Sequence, residues 1–291
     1  MLKYLFKAMR PKQWTKNIFI FAALVFDRKL FDLPSLERTV FAFFLFCLLA
    51  SSVYLINDIL DREADRLHPV KKNRPIASGK LNTKIALIFA VLFALISIGG
   101  SYLLNFNAFL IFLAYFLLNL AYSKWLKHIA LIDVLILASF FVMRVAVGVS
   151  VIQVERFSPW LYVVITLLAL YIGFGKRRAE LMVLVPENTT SHRKVLAGYS
   201  IDLIDQLITI VSATTIIAYS LYTFSAPNLP ENHTMMLTIP FVLYGIFRYL
   251  SLMQISKKGG EPEDLLINDR PLQITVVLWG IAVLLIFYLS K

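Results

Sequence analysis

Four polar side chains at the end of a strongly apolar stretch could hold a divalent cation: Asn57, Asp58, Asp61 and Asp65. Their separations of one, three and four residues place them on one face if the apolar helix continues through them. Carboxylates at this spacing repel one another, and a divalent cation between them removes that repulsion. Mg²⁺ held by carboxylates commonly carries the phosphate groups of a substrate as well. The motif therefore predicts a Mg²⁺ site for a phosphate-bearing substrate.

Basic residues follow this motif directly in the sequence: Arg66, Lys71, Lys72 and Arg74. Arginine and lysine side chains bind phosphate oxygens through charge-assisted hydrogen bonds, so we expect this segment to grip the phosphates of the same substrate. A bound Mg²⁺ would neutralise charge on a departing diphosphate. The alternative interpretation of the stretch is a solvated helix end that carries only surface charges.

Two further side chains could face the same phosphates. Tyr54 precedes Asn57 by about one helical turn and shares its face. Lys16 lies where an apolar run begins, so its ammonium group could point inwards. The alternatives are an interfacial aromatic residue at Tyr54 and a topology-determining basic segment around Lys16.

Arg144 lies well inside an otherwise apolar run. A buried arginine costs about 2.5–3.5 kcal/mol on membrane-insertion scales, so we expect it to have an anionic partner. Asp133 lies on the same helical face but about 16 Å away along the axis, which is too far for a direct pair. A lipid phosphate that enters between helices would serve, and an interhelical salt bridge is the alternative.

Polar clusters also end the fourth and sixth apolar runs. The fourth run ends with Tyr122-Ser123-Lys124 and Lys127. The sixth run ends with Lys176 and Arg177, directly after two glycines at Gly173 and Gly175. Glycine permits close backbone approach, which favours phosphate contact at this point. Basic residues that only fix the membrane topology are the alternative.

The composition assigns the chain to membrane proteins. Of its 291 residues, 59% are hydrophobic and 16% are charged, whereas ordinary soluble domains are about 45–50% apolar and about 25% charged. Apolar runs recur about nine times, and each is long enough to cross about 30 Å of hydrocarbon as a helix. The first run, near 17–33, has the shortest apolar core. We predict an all-α polytopic membrane protein with a bundle of about nine transmembrane helices, forming a single domain over residues 1–291.

The distribution of basic residues predicts the orientation. If the N-terminus is cytoplasmic, 22 lysines and arginines fall on the cytoplasmic side and 5 on the other side, as the positive-inside rule requires. The polar segments near 58–83, 176–204 and 255–270 are then all cytoplasmic. The net charge of +11 describes this membrane face, so we do not expect nucleic-acid binding. This arrangement suits a soluble substrate from the cytoplasm and a second, lipidic substrate in a bacterial-type inner (cell) membrane. Cys47 is the single cysteine, which excludes an intrachain disulfide.

These motifs resemble those of the UbiA-type superfamily of intramembrane prenyltransferases, in which an Asn-Asp-x-x-Asp-x-x-x-Asp motif after helix 2 binds Mg²⁺-diphosphate. Further segments are similar to one branch, the phosphoribosyltransferases that act on polyprenyl (decaprenyl) phosphate: residues 10–17, 65–79, 175–180 and 260–264, with Asp269 and Arg270. Aromatic prenyltransferases of the superfamily carry a second aspartate-rich motif after helix 6. This chain has Lys176-Arg-Arg-Ala-Glu180 there, which suits a substrate with an additional phosphate.

The resemblance implies that 5-phosphoribose moves from phosphoribosyl diphosphate to a polyprenyl phosphate, with Mg²⁺ as cofactor and diphosphate as the leaving group. By position, Asn57 and Asp61 would hold Mg²⁺, with Asp58 and Asp65 as supporting ligands. The resemblance thus makes Asp58, Asp61 and Asp65 the candidate catalytic carboxylates. Lys16, Tyr54 and Lys71 would contact phosphoribosyl diphosphate, and Lys127 and Arg144 the lipid phosphate. The full set of candidate substrate-binding residues is Lys16, Tyr54, Arg66, Lys71, Arg74, Tyr122, Lys127, Arg144, Lys176 and Arg177.

Two alternative functions stay open at this point. A prenyltransferase that moves a prenyl group from a prenyl diphosphate to an aromatic or other acceptor would use the same acidic motif. A transporter or channel would use the three aspartates as an ion site, but such sites lie near mid-membrane at broken helices. The lipid chain length, the roles of Glu261, Glu263, Asp264 and Asp269, and the presence of a homo-oligomer do not follow from the sequence.

Overall fold

The computed structural model describes residues 1–68, 70–152, 154, 158–184, 194–226, 229–255 and 268–289. Within these ranges the chain forms helices and contains no β-strand, which confirms the predicted all-α class. The α-helices are α1 (Leu2–Ala8), α2 (Ala22–Phe26), α3 (Leu33–Leu60), α4 (Arg62–Leu67), α5 (Thr83–Leu104), α6 (Phe106–Lys124), α7 (Ile132–Ile152), α8 (Pro159–Leu184), α9 (Ile201–Ser225), α10 (Ile239–Ile255) and α11 (Arg270–Leu289). The 3₁₀ segments are Pro11–Phe21, Lys71–Asn73, Leu126–His128, Lys194–Gly198 and Thr234–Thr238.

Eight of the described helices are long and apolar enough to cross a membrane: α3 and α5 to α11. The protein is therefore a multi-pass membrane protein, as predicted. The first predicted run differs from the other eight, because it forms the 3₁₀ segment Pro11–Phe21 followed by the short helix α2. A 3₁₀ residue rises about 2.0 Å and an α-helical residue about 1.5 Å, so this stretch gains length from its tighter winding.

Helix α3 carries most of the candidate site, and local interactions fix both of its ends. At its start, the Asp32 carboxylate accepts a hydrogen bond from the Ser35 N–H (3.1 Å), and Pro34 occupies the first turn. Hydrogen bonds from the side chain and the backbone N–H of Ser35 hold the pKa of the Asp32 carboxyl below its ordinary value. At the other end, Asp61 leaves the helical conformation with φ −90° and ψ 7°. The chain then re-enters a helix at Arg62.

The described chain divides into two compact units, of which the first comprises Met1–Val25, Lys29–Lys124 and Met143–Val154. In this unit α5 packs against α3 through a stripe of small residues, Ala86, Ala90 and Ala94, that are buried at four-residue intervals. Small residues let two membrane helices approach closely. The Ser52 hydroxyl on α3 donates to the Ala90 carbonyl (2.7 Å) and joins the two backbones.

The second unit comprises Phe26–Arg28, Trp125–Val142 and Glu155–Lys291. Two glycines of α8 allow its neighbours to pack against its backbone. A Cβ atom on Gly173 would lie 2.7 Å from Cγ1 of Val134, and one on Gly175 would lie 2.7 Å from Sδ of Met253. The close approach predicted at this pair of glycines therefore serves helix packing. The single domain predicted from the sequence stays a prediction.

Candidate metal and diphosphate site

The acidic motif lies where α3 ends and α4 begins. Asn57 and Asp58 belong to the last turns of α3, Asp61 is the junction residue, and Asp65 lies in α4. The Asp61 N–H donates to the Asn57 carbonyl (2.9 Å), and the Asp65 N–H donates to the Asp61 carbonyl (2.8 Å). Backbone hydrogen bonds with helical spacing therefore continue across the junction, and the shared face of the four side chains stays a prediction.

Two arginines neutralise the buried carboxylates of this motif. Arg10 forms a short ion pair with Oδ1 of Asp58. Nη1 of Arg74 lies 3.2 Å from Oδ1 of Asp58 and 2.6 Å from Oδ2 of Asp65. Asp58 and Asp65 are only 1% and 4% exposed, whereas the side chains of Arg10 and Arg74 are 29% and 28% exposed. The acids lie inside, and the arginines form a partly open outer layer over them.

The sequence reasoning did not identify Arg10 as a site residue. Arg10 adopts φ 54° and ψ 62°, a left-handed conformation that costs a non-glycine residue about 1–2 kcal/mol. Its guanidinium group stacks over the ring of Tyr54 at 5.0 Å. Trp14 fastens the same segment to α3, because its indole N–H donates to the Ser51 hydroxyl (3.1 Å). What the sequence did show is that Arg10 is the first residue of the segment 10–17, which is similar to the polyprenyl-phosphate phosphoribosyltransferases.

Asn57 has a partner on another helix. The Ser123 hydroxyl, in the last turn of α6, forms a short hydrogen bond with the Asn57 carboxamide. The same hydroxyl lies 2.7 Å from the Asn119 carbonyl oxygen of its own helix. Ser123 was part of a polar cluster in the sequence, but nothing there connected it with Asn57.

The donor chemistry of this site fits Mg²⁺. Oδ2 of Asp58 is buried and has no hydrogen-bond partner among the described residues. An unsatisfied buried polar atom costs about 1–3 kcal/mol, and Mg²⁺ prefers such oxygen ligands. Within the described ranges, no three aspartate, glutamate, histidine or cysteine side chains form a metal-binding group by themselves. The proposed ligand set therefore needs the Asn57 amide oxygen or water beside its carboxylates.

Several basic residues that follow the acidic motif already make hydrogen bonds to other groups of the protein. Arg66 donates from Nη1 to both oxygens of Glu63 (3.2 Å each) and from Nε to the Ala77 carbonyl (3.2 Å). Nδ1 of His68 accepts from the N–H groups of Val70 (3.2 Å) and Lys71 (3.3 Å), and thereby caps the turn. Arg66 and Arg74, for which phosphate contacts are predicted, thus bind carboxylates of the protein in this structure. Other predicted site residues of this unit are partly buried: Lys16, Tyr54, Asp61, Lys71 and Tyr122.

Arg144, in the part of α7 that belongs to the first unit, is only 4% exposed. Its Nε donates to the Asn17 side-chain oxygen (2.8 Å), and its Nη2 donates to the Tyr115 hydroxyl (3.1 Å). Its guanidinium group also lies 5.2 Å from the Phe46 ring centre and 5.3 Å from that of Tyr115. Amide, phenol and aromatic faces thus orient this buried cation.

Arg177, in the second unit, lies inside the protein and is 2% exposed. Its Nε donates to Asp133 (2.6 Å), and its Nη1 pairs with Glu180. Asp133 also accepts from the Tyr199 hydroxyl (2.6 Å). Burial, followed by this hydrogen bond, raises the pKa of Tyr199 above its ordinary value. Arg177 thus forms a buried ion pair with Asp133 and Glu180, and the phosphate contact predicted for it stays a prediction. Lys127 and Lys176 are partly buried in the same unit.

The last polar segment is described only at its end. Asp269 accepts from Arg248 (2.8 Å to Nη2) and from the Leu272 N–H (2.9 Å), so it caps α11 and fastens α11 to α10. The hydrogen bond from Arg248 holds the pKa of the Asp269 carboxyl below its ordinary value. The remaining acids of this segment, Glu261, Glu263 and Asp264, lie outside the described residues.

Comparison with known proteins identifies the family. A family model described as the UbiA prenyltransferase family matches residues 18–262. The decaprenyl-phosphate phosphoribosyltransferase of Mycobacterium tuberculosis (strain ATCC 25618 / H37Rv) is 32% identical over 277 residues, covering 94% of this chain and 90% of that protein. The protein of the same name from Mycolicibacterium smegmatis is 34% identical over 288 residues, covering 94% and 89%.

The fold also matches a solved structure. A UbiA homolog from Archaeoglobus fulgidus, solved with DMAPP and Mg²⁺ bound, has a TM-score of 0.75 and covers 97% of this chain and 98% of that one at 18% identity. At this identity the likeness shows the fold alone. The family match, the full-length relatives and this shared fold agree, and the chain belongs to the UbiA prenyltransferase family.

Proposed function

We propose that the protein transfers 5-phosphoribose from phosphoribosyl diphosphate to a polyprenyl phosphate, such as decaprenyl phosphate, and releases diphosphate. The observation that carries the proposal is the layered site at the end of α3, where buried carboxylates lie beneath two partly open arginines. Such a site can bind a cation and an anionic diphosphate together. The substrate class comes from relatives with this activity in their names, which match nearly the whole chain.

In the proposed reaction, an ionised oxygen of the lipid phosphate attacks the anomeric carbon of the ribose. The bond from that carbon to the diphosphate oxygen breaks, and the diphosphate leaves with the electron pair. No general base is needed, because the nucleophile is already ionised. The protein contributes alignment and charge stabilisation, and a single displacement inverts the anomeric carbon.

Asn57, Asp58, Asp61 and Asp65 would hold Mg²⁺, which when bound supplies charge neutralisation for the departing diphosphate. Arg10 and Arg74 now neutralise Asp58 and Asp65. We propose that they turn their donors to the diphosphate oxygens when the cation takes over the carboxylates. Guanidinium groups suit this exchange, because they bind carboxylates and phosphates with the same planar donor pattern.

The other roles follow the family resemblance. Lys16, Tyr54 and Lys71 would contact the soluble donor. Arg144 would receive the lipid phosphate, which supplies an anion for a cation buried at membrane depth. The proposed orientation places the N-terminus and this site on the cytoplasmic side of a bacterial inner membrane. The roles of Arg66, Tyr122, Lys127 and Lys176 in substrate binding, and a homo-oligomeric state, stay predictions.

The test is a direct assay of the purified full-length chain in lipid nanodiscs. With phosphoribosyl diphosphate, polyprenyl phosphate and Mg²⁺, we expect diphosphate release and an equal amount of lipid-linked phosphoribose, detected by mass spectrometry. A parallel assay supplies a prenyl diphosphate and an aromatic acceptor. Product only in the parallel assay would replace the proposal by prenyl transfer. Cation flux into liposomes without turnover of either donor would indicate transport instead.

A further inference from the structure

Asn17 lies at the centre of a buried group of side chains that contacts Arg144. It belongs to the 3₁₀ segment Pro11–Phe21 and is 0% exposed. Its side-chain oxygen accepts a hydrogen bond from Nε of Arg144 (2.8 Å), and its NH₂ group donates to Sγ of Cys47 on α3 (3.2 Å). The carboxamide of Asn17 therefore joins three elements of the first unit, namely the 3₁₀ segment, α3 and α7.

The hydrogen-bonding chemistry of this group agrees with the observed orientation of the Asn17 carboxamide. A guanidinium group can only donate hydrogen bonds, so the atom that faces Nε of Arg144 must be an oxygen. The sulfur of Cys47 serves as a weak acceptor for the opposite, NH₂ end. Asn17 thus presents its oxygen to Arg144 in the one orientation in which this contact is a hydrogen bond.

The tight winding of the 3₁₀ segment brings Asn17 to the side that faces α7. Side chains three residues apart eclipse each other in a 3₁₀-helix, so Asn17 and Ile20 share a face, and both are 0% exposed. On α7, Arg144 and Gly148 are four residues apart and also share a face. A Cβ atom on Gly148 would lie 2.0 Å from the Ile20 carbonyl oxygen. Glycine at this position therefore lets α7 approach the segment closely enough for Arg144 to reach Asn17.

Asn17 holds the guanidinium group of Arg144 together with a second neutral acceptor. The Tyr115 hydroxyl accepts from Nη2 of Arg144 (3.1 Å). A guanidinium group carries its five N–H donors in a rigid fork, so acceptors at Nε and Nη2 fix the direction of the whole group. A carboxylate in either place would also cancel positive charge. Asn17 and Tyr115 therefore orient the cation and do not neutralise it.

We infer that Asn17 is a positioning residue, which aims the guanidinium group of Arg144 at the phosphate of the lipid substrate and preserves its charge. This inference rests on the proposed function, in which Arg144 receives that phosphate. Arginine binds phosphate most strongly when the donors of its fork are aligned with the phosphate oxygens. Without the acceptor at Nε, the fork could rotate and lose this alignment.

The test measures KM for decaprenyl phosphate and KM for phosphoribosyl diphosphate with the purified full-length protein in lipid nanodiscs. Asn17→Leu keeps the approximate volume of the side chain and removes the acceptor. We expect it to raise KM for the lipid by about tenfold, which corresponds to the loss of one hydrogen bond to a charged group. KM for the soluble donor should stay unchanged. Because KM does not depend on the fraction of protein that is folded, partial unfolding would not imitate this result.

The matched control is Asn105→Leu, the same substitution elsewhere in the first unit. The Asn105 carboxamide donates to the Ser150 carbonyl (3.0 Å), so its removal also costs a hydrogen bond between two elements. We expect Asn105→Leu to change neither KM. An equal rise in the lipid KM with both substitutions would show a general packing effect and overturn the inference.

The decisive comparison is a double-mutant cycle with Arg144→Met. If Asn17 acts through Arg144, Asn17→Leu should not raise the lipid KM further in the Arg144→Met background. A merely structural role would raise the lipid KM by the same factor in both backgrounds, or would raise both KM values equally, and either result would overturn the inference. Asn17→Asp keeps the acceptor but adds a charge that pairs with Arg144, so it should also raise the lipid KM. A native lipid KM in Asn17→Asp would likewise overturn the inference.

These measurements separate the inference from the proposed function. A lipid KM that rises in Arg144→Met but stays native in Asn17→Leu would overturn the inference alone. A wild-type protein that forms no lipid-linked phosphoribose would refute the proposed function. Equal changes of both KM values in Arg144→Met would remove only the proposed role of Arg144. In both of these cases the inference about Asn17 would fall as well.

Discussion

Arg74 offers a test of whether the buried carboxylates hold a cation. Arg74 bridges Asp58 and Asp65, whose exposed fractions are 1% and 4%. Removing one partner of a fully buried ion pair costs about 3–5 kcal/mol. Arg74 is partly exposed, and Arg10 continues to neutralise Asp58. We therefore expect Arg74→Met to lower the free energy of unfolding by about 1.5–3 kcal/mol, the range of one charged hydrogen bond.

Mg²⁺ should act differently on the two proteins. A ligand at a hundred times its Kd stabilises the folded state by about 2.7 kcal/mol. The wild-type chain must give up arginine contacts when the cation takes the carboxylates, whereas Arg74→Met has already lost one of them. Mg²⁺ should thus raise the unfolding midpoint of Arg74→Met more than that of the wild type. The difference between the two midpoints should therefore become smaller.

Thermal unfolding of the detergent-solubilised protein, with EDTA and with saturating Mg²⁺, measures both effects. The matched control is Arg66→Met, because Arg66 pairs with the exposed Glu63 and such pairs contribute about 0–1 kcal/mol. Equal Mg²⁺ shifts in wild type, Arg74→Met and Arg66→Met would refute the reasoning, since the cation would then bind away from Asp58 and Asp65.

Four further predictions address other parts of the molecule. Asp61→Asn should abolish diphosphate release while the unfolding midpoint stays near wild type; normal turnover at ordinary Mg²⁺ would remove Asp61 from the metal site. Arg144→Met should raise KM for polyprenyl phosphate more than KM for phosphoribosyl diphosphate, and equal changes would favour a structural role. Arg177→Met should destabilise the fold by about 3–5 kcal/mol, because it leaves a buried carboxylate uncompensated; a native unfolding midpoint would contradict this. Because the pKa of Asp269 is lowered on folding, its contribution to stability is present above the ordinary aspartate pKa of about 3.9 and is lost as the pH falls through its folded value. Unfolding midpoints of wild type and Asp269→Asn should therefore differ at neutral pH and converge in acid, and a constant difference would contradict the assignment.

The sequence predicted the features that depend on local patterns. The eight long helices follow from apolar runs whose length alone fits a membrane. The near-continuous path from α3 into α4 is also local, because backbone hydrogen bonds join Asn57 to Asp61 and Asp61 to Asp65. The hydrogen bonds that His68 accepts are equally local, since their donors are two and three residues away in the chain.

Partners that are distant in the sequence could not be predicted in this way. Asp58 pairs with Arg10 across 48 positions, and Asn57 meets Ser123 across 66. No periodicity connects such residues, because tertiary packing alone brings them together. Arg177 shows the same limit, since its hydrogen bond to Asp133 joins residues that lie 44 positions apart.

The buried face of α6 that carries Tyr115, Asn119 and Ser123 has a consequence for how ligands at two parts of the site affect each other. Its two ends touch Arg144 through Tyr115 and Asn57 through Ser123. One stiff helical face therefore contacts the proposed receivers of the lipid phosphate and of the cation. A ligand that shifts this face at one end changes the geometry at the other, and thermodynamic linkage requires that any such effect be mutual. The ratio of the lipid affinities with and without Mg²⁺ thus measures the coupling free energy between the two sites that α6 contacts.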